Sequence, residues 1–337
     1  VSVDIRILTS AEDLQAWDVF VKSSPQGSLW QSKEWKGYQE ALGRQTRVYA
    51  AFNGHGSAPL TMTATALVVI DRTTGNLATW EIPRGPIMGE GRDEKVEGSA
   101  LLDRIITDAK SEKALCIFLS PTNPLPSTLY PLVASPRHIH PPATRIIDLS
   151  KTHDEILAQM HQKGRYNIKI ALRDGVTVRQ GAENDIDAFY GLLKGTSARD
   201  VFTISPKGHY TRFLTNLRDS FFLIAEHEGT PVAGYMGVIW NETAYYYYGA
   251  SDHAKRALMA PYLLQWEAMK LSKERGALRY DLLGIAPLGS GPEHAWAGIS
   301  SFKEKFGGEV VEYAQEQQVM IRPMTWRLLQ LKRKLLG

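Results

Sequence analysis

Apolar and polar positions alternate from Val3 to Leu8, the period of a strand with one buried face. Ser10-Ala11-Glu12-Asp13 gives a capping-box-like start to a helix running to about Lys22, and a second helix is expected over Ser32–Leu42 after the loop Ser24–Ser28. Strand patterns follow at Thr46–Phe52, Leu60–Ile70 and Leu77–Ile82, and Pro83, Gly85 and Pro86 end the run. An amphipathic helix over Gly98–Lys110 leads into an apolar strand, Leu115–Leu119.

The second half predicts a similar order: a strand at Ala143–Leu149, one helix over Thr152–Arg173, a strand at Val176–Gln180, and helices over Asp185–Ala198 and His209–Leu217. Phe221–His227 and Val232–Trp240 read as a hairpin turning at Glu228-Gly229, followed by a strand at Ala244–Gly249, a helix over Met259–Glu274 and a strand at Arg279–Leu283. Both halves therefore combine helices with an antiparallel or mixed sheet, and the chain reads as α/β (α+β), a duplicated unit without a residue-level repeat. Pro121–Pro142, which holds seven of the chain's 17 prolines, reads as the irregular connection between the halves.

Length agrees with two domains, since 337 residues is about twice the usual ~150. A 43% hydrophobic and 22% charged composition excludes a disordered or coiled-coil chain, and a net charge of +3 excludes a strongly basic nucleic-acid coat. Cys116 is the single cysteine, set in an apolar run, so no internal disulfide forms and a reducing compartment fits. No window approaches the ~18 apolar residues of a membrane span, and Val1–Ile5 lacks a basic-then-apolar leader pattern, so a cytoplasmic protein is expected. The nine histidines show no metal-ligand spacing, and GxSxG, P-loop and GxGxxG patterns are absent, so neither metal nor cofactor is expected.

The weak net charge hides two basic segments. His161–Gly175 carries Lys163, Arg165, Lys169 and Arg173 against Asp174, and Arg165, Lys169 and Arg173 recur at i, i+4, i+8 on one helix face. That face suits either an anionic partner or plain solvation. Arg322–Gly337 carries five cations, no acid and several leucines, a basic amphipathic helix that either docks on the first domain or meets a nucleic acid or a membrane surface. Further candidates are apolar or aromatic. In Tyr245–Tyr248, strand alternation puts Tyr246 and Tyr248 on one face and Tyr245 and Tyr247 on the other, for core packing or for lining a cleft. Pro261 sits in the first turn of a helix that is either an ordinary core helix or one whose free N–H groups hold an anion. Phe302 and Phe306 are i, i+4 neighbours, and Lys303 between them is either a surface lysine or one placed beside a developing oxyanion.

Taken in order, several stretches resemble the Fem family of peptidoglycan bridge-forming aminoacyltransferases over nearly the whole chain. They are Gln31-Ser32-x-x-Trp35; Lys163-x-Arg165-Tyr166-Asn167-Ile168-x-x-Ala171-x-x-x-Gly175-Val176; and Tyr246-x-Tyr248-Gly249-Ala250-Ser251 with Ala260-Pro261-Tyr262-Leu263-Leu264-x-Trp266. Tyr280-Asp281-Leu282-x-Gly284 and Gly298-Ile299-x-x-Phe302-Lys303-x-x-Phe306-Gly307-Gly308 complete the set. The resemblance implies two tandem acetyltransferase-like (GNAT) domains, residues 1–142 completed by 311–337, and residues 143–310. Lacking a long charged heptad segment, the chain is similar to the short, armless FemX-like branch. The implied reaction moves an amino acid from aminoacyl-tRNA to the stem-peptide amino group of UDP-MurNAc-pentapeptide or its lipid-linked form. The implied protein is a monomer, with peripheral membrane contact as an option and no covalent intermediate.

Lys303 matches the family lysine assigned to transition-state stabilisation. Tyr210 and Tyr246, with Tyr248 beside them, match the lining of the nucleotide-sugar peptide site. Lys36 lies beside the position where the family uses a lysine on the precursor's diphosphate, and Lys33 is its competitor. Ser205 stands where the family has an arginine for that diphosphate, so Lys207 or Arg199 would have to substitute. Ser120 replaces a family aspartate, which argues against a fixed carboxylate base there. Lys163, Arg165, Lys169 and Arg173 are the implied contacts to tRNA phosphates. Two alternatives remain open: an acyl-CoA N-acyltransferase on the same fold, although Arg256–Pro261 lacks the glycines that let backbone approach a pyrophosphate, and a non-catalytic binding module.

Overall fold

Strand alternation and helix periodicity resolve into two sheets with helices on their faces. The computed structural model describes residues 3–53, 61–74, 77–89, 94–125, 132–135, 137, 139–200 and 202–336. In chain order the elements are β1 (Asp4–Leu8), α1 (Ala11–Ser23), α2 (Lys33–Ala41), β2 (Gln45–Asn53), β3 (Thr61–Thr74), β4 (Leu77–Pro83), β5 (Ile87–Met88), α3 (Glu94–Ser111), β6 (Cys116–Ser120) and β7 (Val133–Ala134). Then come β8 (Ala143–Asp148), α4 (His153–Gln159), α5 (Gln162–Arg173), β9 (Thr177–Gln180), α6 (Ile186–Asp200), α7 (Lys207–Asn216), β10 (Ser220–His227), β11 (Thr230–Trp240), β12 (Thr243–Ser251), α8 (Ala260–Glu274), β13 (Arg279–Asp281), α9 (Ala297–Glu304) and β14 (Glu309–Glu312). The chain closes with β15 (Gln317–Met320) and α10 (Pro323–Leu336). Leu60 and part of the proline-rich connection (residues 126–131, 136 and 138) lie outside the described residues.

The chain divides into two units, residues 1–140 with 313–337, and residues 141–312. In the first, the sheet order is β1-β2-β3-β4-β6-β15-β7, with β5 paired to β3. The returning segment β15 enters this sheet by pairing antiparallel with Cys116–Leu119 of β6. Leu101, Leu102, Ile105, Ile106 and Ala109 of α3 are buried against Tyr49, Val68, Ile70, Trp80 and Ile117. Burying each such side chain contributes about 1.5–3 kcal/mol, which is why the amphipathic pattern forms its helix here. Cys116 is buried as well, and burial pushes its thiol up to about 12, so it acts as a small core residue.

The second unit has the sheet order β14-β8-β13-β12-β11-β10-β9. Ile168 and Ala171 of α5 and Leu263, Leu264, Ala268 and Met269 of α8 join one core with Leu223 and Tyr235 of the sheet. On the opposite face Phe189 of α6 meets Phe222, and Phe213 of α7 meets Tyr247 and Tyr248.

Two expectations need correction. Thr152–Arg173 is not one helix: Met160 and His161 are extended, and α4 and α5 are separate. The break lets the His161 N–H donate to Lys305 O at 3.1 Å. It also seats Gly164 so close to that carbonyl that a Cβ would lie 2.3 Å from it. The second correction is the tyrosine strand. The register of β11 with β12 steps from Met236↔Tyr248 to Gly237↔Tyr246, which makes Tyr247 the extra residue of a bulge. One extra residue reverses the facing, so Tyr246 and Tyr248 point to opposite sides of the sheet.

Each sheet has a parallel pair that differs between the units. In the first, β4 and β6 pair over Thr79–Pro83 and Cys116–Ser120. In the second, β12 and β13 pair only from Thr243↔Arg279 to Tyr245↔Asp281, although β12 continues to Ser251. Past Tyr245 the second sheet is open between these strands.

Candidate active site

The opening past Tyr245 is shaped by what ends β13. Leu283 has φ +53°, a left-handed conformation that a leucine adopts only under constraint. The constraint is Asp281, buried at 2% exposure, whose Oδ1 accepts from Leu283 N at 2.7 Å and from the Thr144 hydroxyl. The resulting turn aims two successive carbonyls, Leu283 O and Gly284 O, at one point. Lys303 of α9 occupies that point, its Nζ donating to them at 2.9 and 2.7 Å. Ser300, one turn earlier on α9, accepts from Ala286 N at 2.8 Å, so the loop is fastened to α9 at two places.

Lys303 is 6% exposed. Burial lowers its pKa from 10.5 to about 7, opposed by the charge of Asp281. Its Nζ lies 5.7 Å from the centroid of the Tyr246 ring, within cation–π range. Tyr246 in turn stacks on Tyr235 at 5.1 Å, and burial pushes its hydroxyl up to about 12. Its ring runs along the strand over Gly249, where a Cβ would fall 1.8 Å from the hydroxyl oxygen. The first turn of α8 closes another side, with Tyr262 packed on Phe302 at 5.0 Å. At the far end of α9, Gly307 and Gly308 both take positive φ, and a Cβ on either would meet the backbone of Gln159 or Ile146. Arg145 donates to both of their carbonyls. The Gly-Gly pair thus lets α9 return to the sheet and fixes where Lys303 falls.

Chemically the site offers one buried amine able to change charge near neutral pH, a π face beside it, and the stretch of β12 that runs on past its pairing with β13. A surface groove walled by Phe221, Phe222, Ile186 and Leu214 lies elsewhere in this unit. It contains no buried ionisable group, in contrast to the surroundings of Lys303.

The other sequence candidates separate. Tyr210 of α7 is buried and meets Tyr248 edge-on at 5.0 Å, while its hydroxyl accepts from Ser205 N at 3.2 Å. Tyr248 shares a hydrogen bond of 2.8 Å with His209. This aromatic cluster sits on the face away from Tyr246 and Lys303. Lys207 pairs with Asp187 at 2.6 Å and Arg199 with Asp200 at 2.7 Å. Lys36 and Lys33 lie on α2 in the first unit, Lys36 bridged to Glu40 at 2.7 Å and Lys33 exposed.

The cationic face of α5 is also not uniform. Arg165 reaches back along the chain, its Nη1 donating to the carbonyls of Leu157, Ala158 and Met160 that end α4. Arg173 pairs with Asp174 at 2.7 Å. Lys163 and Lys169 remain exposed. Sequence reasoning named Asp281 only as part of a motif and missed the carbonyls of Leu283 and Gly284. The stretch Tyr280-Asp281-Leu282-x-Gly284 held the available signal.

Two α/β units in one chain, each with a mixed sheet and a single parallel pair among the described residues, define a tandem acetyltransferase-like fold. A tandem GNAT protein from the clavulanic acid pathway matches with a TM-score of 0.61, at 11% identity over 95% of this chain and 99% of that one. A crystal structure of FemX matches with a TM-score of 0.77, at 20% identity over 96% of this chain and 99% of that one.

The chain belongs to the FemAB family, whose model matches residues 133–228 and 223–334. Among curated relatives, the lipid II:glycine glycyltransferase of Staphylococcus aureus (strain MRSA252) is 24% identical over 401 aligned positions, covering 94% of this chain and 93% of that protein. The alignment is longer than this chain's 337 residues, so the relative carries inserted sequence that this chain lacks. No helix among the described residues is long and apolar enough to cross a membrane.

Proposed function

We propose that this chain transfers an amino acid from aminoacyl-tRNA to the stem-peptide amino group of a peptidoglycan precursor, either UDP-MurNAc-pentapeptide or its lipid-linked form. The observation that carries the reading is the buried Lys303, held on two backbone carbonyls at the open end of the β12–β13 pair. Family membership and the printed activity of the Staphylococcus aureus relatives, glycine transfer on lipid II, support the substrate class.

The acceptor amine attacks the ester carbonyl carbon of the aminoacyl-tRNA, forming a C–N bond and placing negative charge on the carbonyl oxygen. The ester C–O bond then breaks, and the ribose oxygen takes up a proton as the amine loses one. The donor is already activated and the acceptor is a free amine, so positioning and oxyanion stabilisation supply the catalysis. Two N–H groups of Lys303 serve Leu283 and Gly284, which leaves the third for the oxyanion. Negative charge developing beside Nζ raises its proton affinity, so a lysine resting near neutrality is charged when the transition state forms. The stretch of β12 past Tyr245, beyond its pairing with β13, suits an extended peptide, which adds to a sheet through backbone hydrogen bonds. The exposed Lys163 and Lys169 suit tRNA phosphates, and Lys36 or Lys33 the precursor's diphosphate. Lys207 and Arg199 contribute there only on leaving Asp187 and Asp200.

The test incubates the purified chain with a panel of charged tRNAs and each acceptor form, and reads the acceptor by mass spectrometry. One aminoacyl mass increment is expected, dependent on a particular charged tRNA. Lys303→Ala should lower turnover by roughly 10²–10³-fold while precursor affinity stays near normal. Acylation by acetyl-CoA, with none from any charged tRNA, would replace this reading with the acyl-CoA one.

A further inference from the structure

The C-terminal helix α10 has two apolar faces, and the fold uses one of them. Trp326 and Leu329 pack against the cluster of Leu115, Cys116 and Phe118 on the first unit's sheet, with Trp326 edge-on to Phe118 at 5.9 Å. Met324, Leu328 and Leu331, at i, i+4, i+7, form a second stripe that is 78%, 66% and 56% exposed. Arg327 is exposed beside it, three residues from Met324 and four from Leu331. Docking on the sheet explains the first face and leaves the second without a role in folding. Three large apolar side chains in line on one short helix are a patch, not the scattered exposure usual on protein surfaces.

Charge selects what covers this stripe. From Arg322 to Gly337 the sequence carries Arg322, Arg327, Lys332, Arg333 and Lys334 and no acid. Two such helices repel, which disfavours a second copy of the chain. A nucleic acid would take the cations but has no use for a row of Met and Leu at the centre of the contact. An anionic bilayer surface takes both: apolar side chains enter the headgroup–acyl boundary while the flanking cations meet lipid phosphates. We propose that α10 is a membrane-surface element. Its Met324–Leu328–Leu331 stripe inserts shallowly into an anionic lipid surface, while Trp326 and Leu329 hold the helix on the first unit. The inference does not depend on the reaction proposed above.

The test is co-sedimentation of the full chain with vesicles of equal parts phosphatidylglycerol and phosphatidylcholine, and with phosphatidylcholine alone. Binding is expected to the first, at least tenfold weaker to the second, and weakened several-fold by 0.5 M NaCl. Leu328→Ser with Leu331→Ser should reduce binding to anionic vesicles at least tenfold, with an unchanged circular dichroism melt. Arg327→Glu, which leaves the stripe intact, should reduce it by a smaller factor. The proposal is overturned by absence of binding to anionic vesicles or by binding that the serine variants leave unchanged. It is equally overturned if those variants abolish tRNA binding or a dimer seen by light scattering while vesicle binding persists.

Discussion

Replacing Lys303 with methionine should make the protein more stable below neutral pH and less stable in strong alkali. The unfolded chain keeps the lysine's proton up to 10.5, whereas the folded chain releases it at about 7. Between those values the unfolded state binds more protons, so this group's contribution to stability rises with pH, and its cost is full below 7. At about 1.4 kcal/mol per tenfold, the full cost is about 5 kcal/mol. Methionine has nearly the same shape and removes that cost, but it leaves the Leu283 and Gly284 carbonyls without their donor, a loss of about 1 kcal/mol each. Lys303→Met should therefore exceed the wild type by about 3 kcal/mol at pH 6 and about 1 kcal/mol at pH 8, and fall about 1 kcal/mol below it at pH 10. Urea unfolding followed by far-UV circular dichroism, variant minus wild type at each pH, cancels the other titrating groups and isolates this one. A difference that stays the same from pH 6 to pH 10 would refute the reasoning, because Lys303 would then titrate as in the unfolded chain. The same variant should lose turnover, a gain in stability accompanied by a loss of function.

Asp281→Asn removes the charge that opposes burial, so the Lys303 titration, followed by NMR of its labelled Nζ, should move further below 7; an upward move would mean that Asp281 acts otherwise. Gly249→Ala places a Cβ 1.8 Å from the Tyr246 hydroxyl, and should cost about 1–3 kcal/mol in urea unfolding while lowering turnover through the displaced ring. Arg165→Ala should destabilise by about 1–2 kcal/mol because its guanidinium caps the end of α4. Lys169→Ala should leave stability within about 0.5 kcal/mol and, in filter binding, weaken tRNA and reduce the salt slope by about one. Equal stability of those two variants would show that Arg165 is not a cap.

Much of both units was legible in the sequence because the signals are local. The hairpin turn at Glu228-Gly229, the proline in the first turn of α8 and the apolar period of α3 each depend on residues within a few positions of one another. Ordered motifs likewise pointed to Lys303. The break at Met160-His161 was not legible, since the helical period runs through it, although His161 caps α5 by accepting from Lys163 N and its own N–H donates to the distant Lys305 carbonyl. The facing of Tyr246 was misread for a related reason. Alternation holds only for an unbroken strand, and the bulge at Tyr247 is set by pairing with β11.

The sequence by itself determined two α/β units, their element order, and a lysine set between two phenylalanines. Tertiary structure alone decided that this lysine is buried, which carbonyls hold it, and that Arg165 caps a helix while Lys163 and Lys169 stay exposed. The physical reason is range. Periodicity and capping act over one or two turns, whereas a pKa near neutrality depends on how much water remains around an amine. That is set by chain segments far apart in sequence, from Thr144 and Asp281 to Leu283 and the Gly307-Gly308 turn.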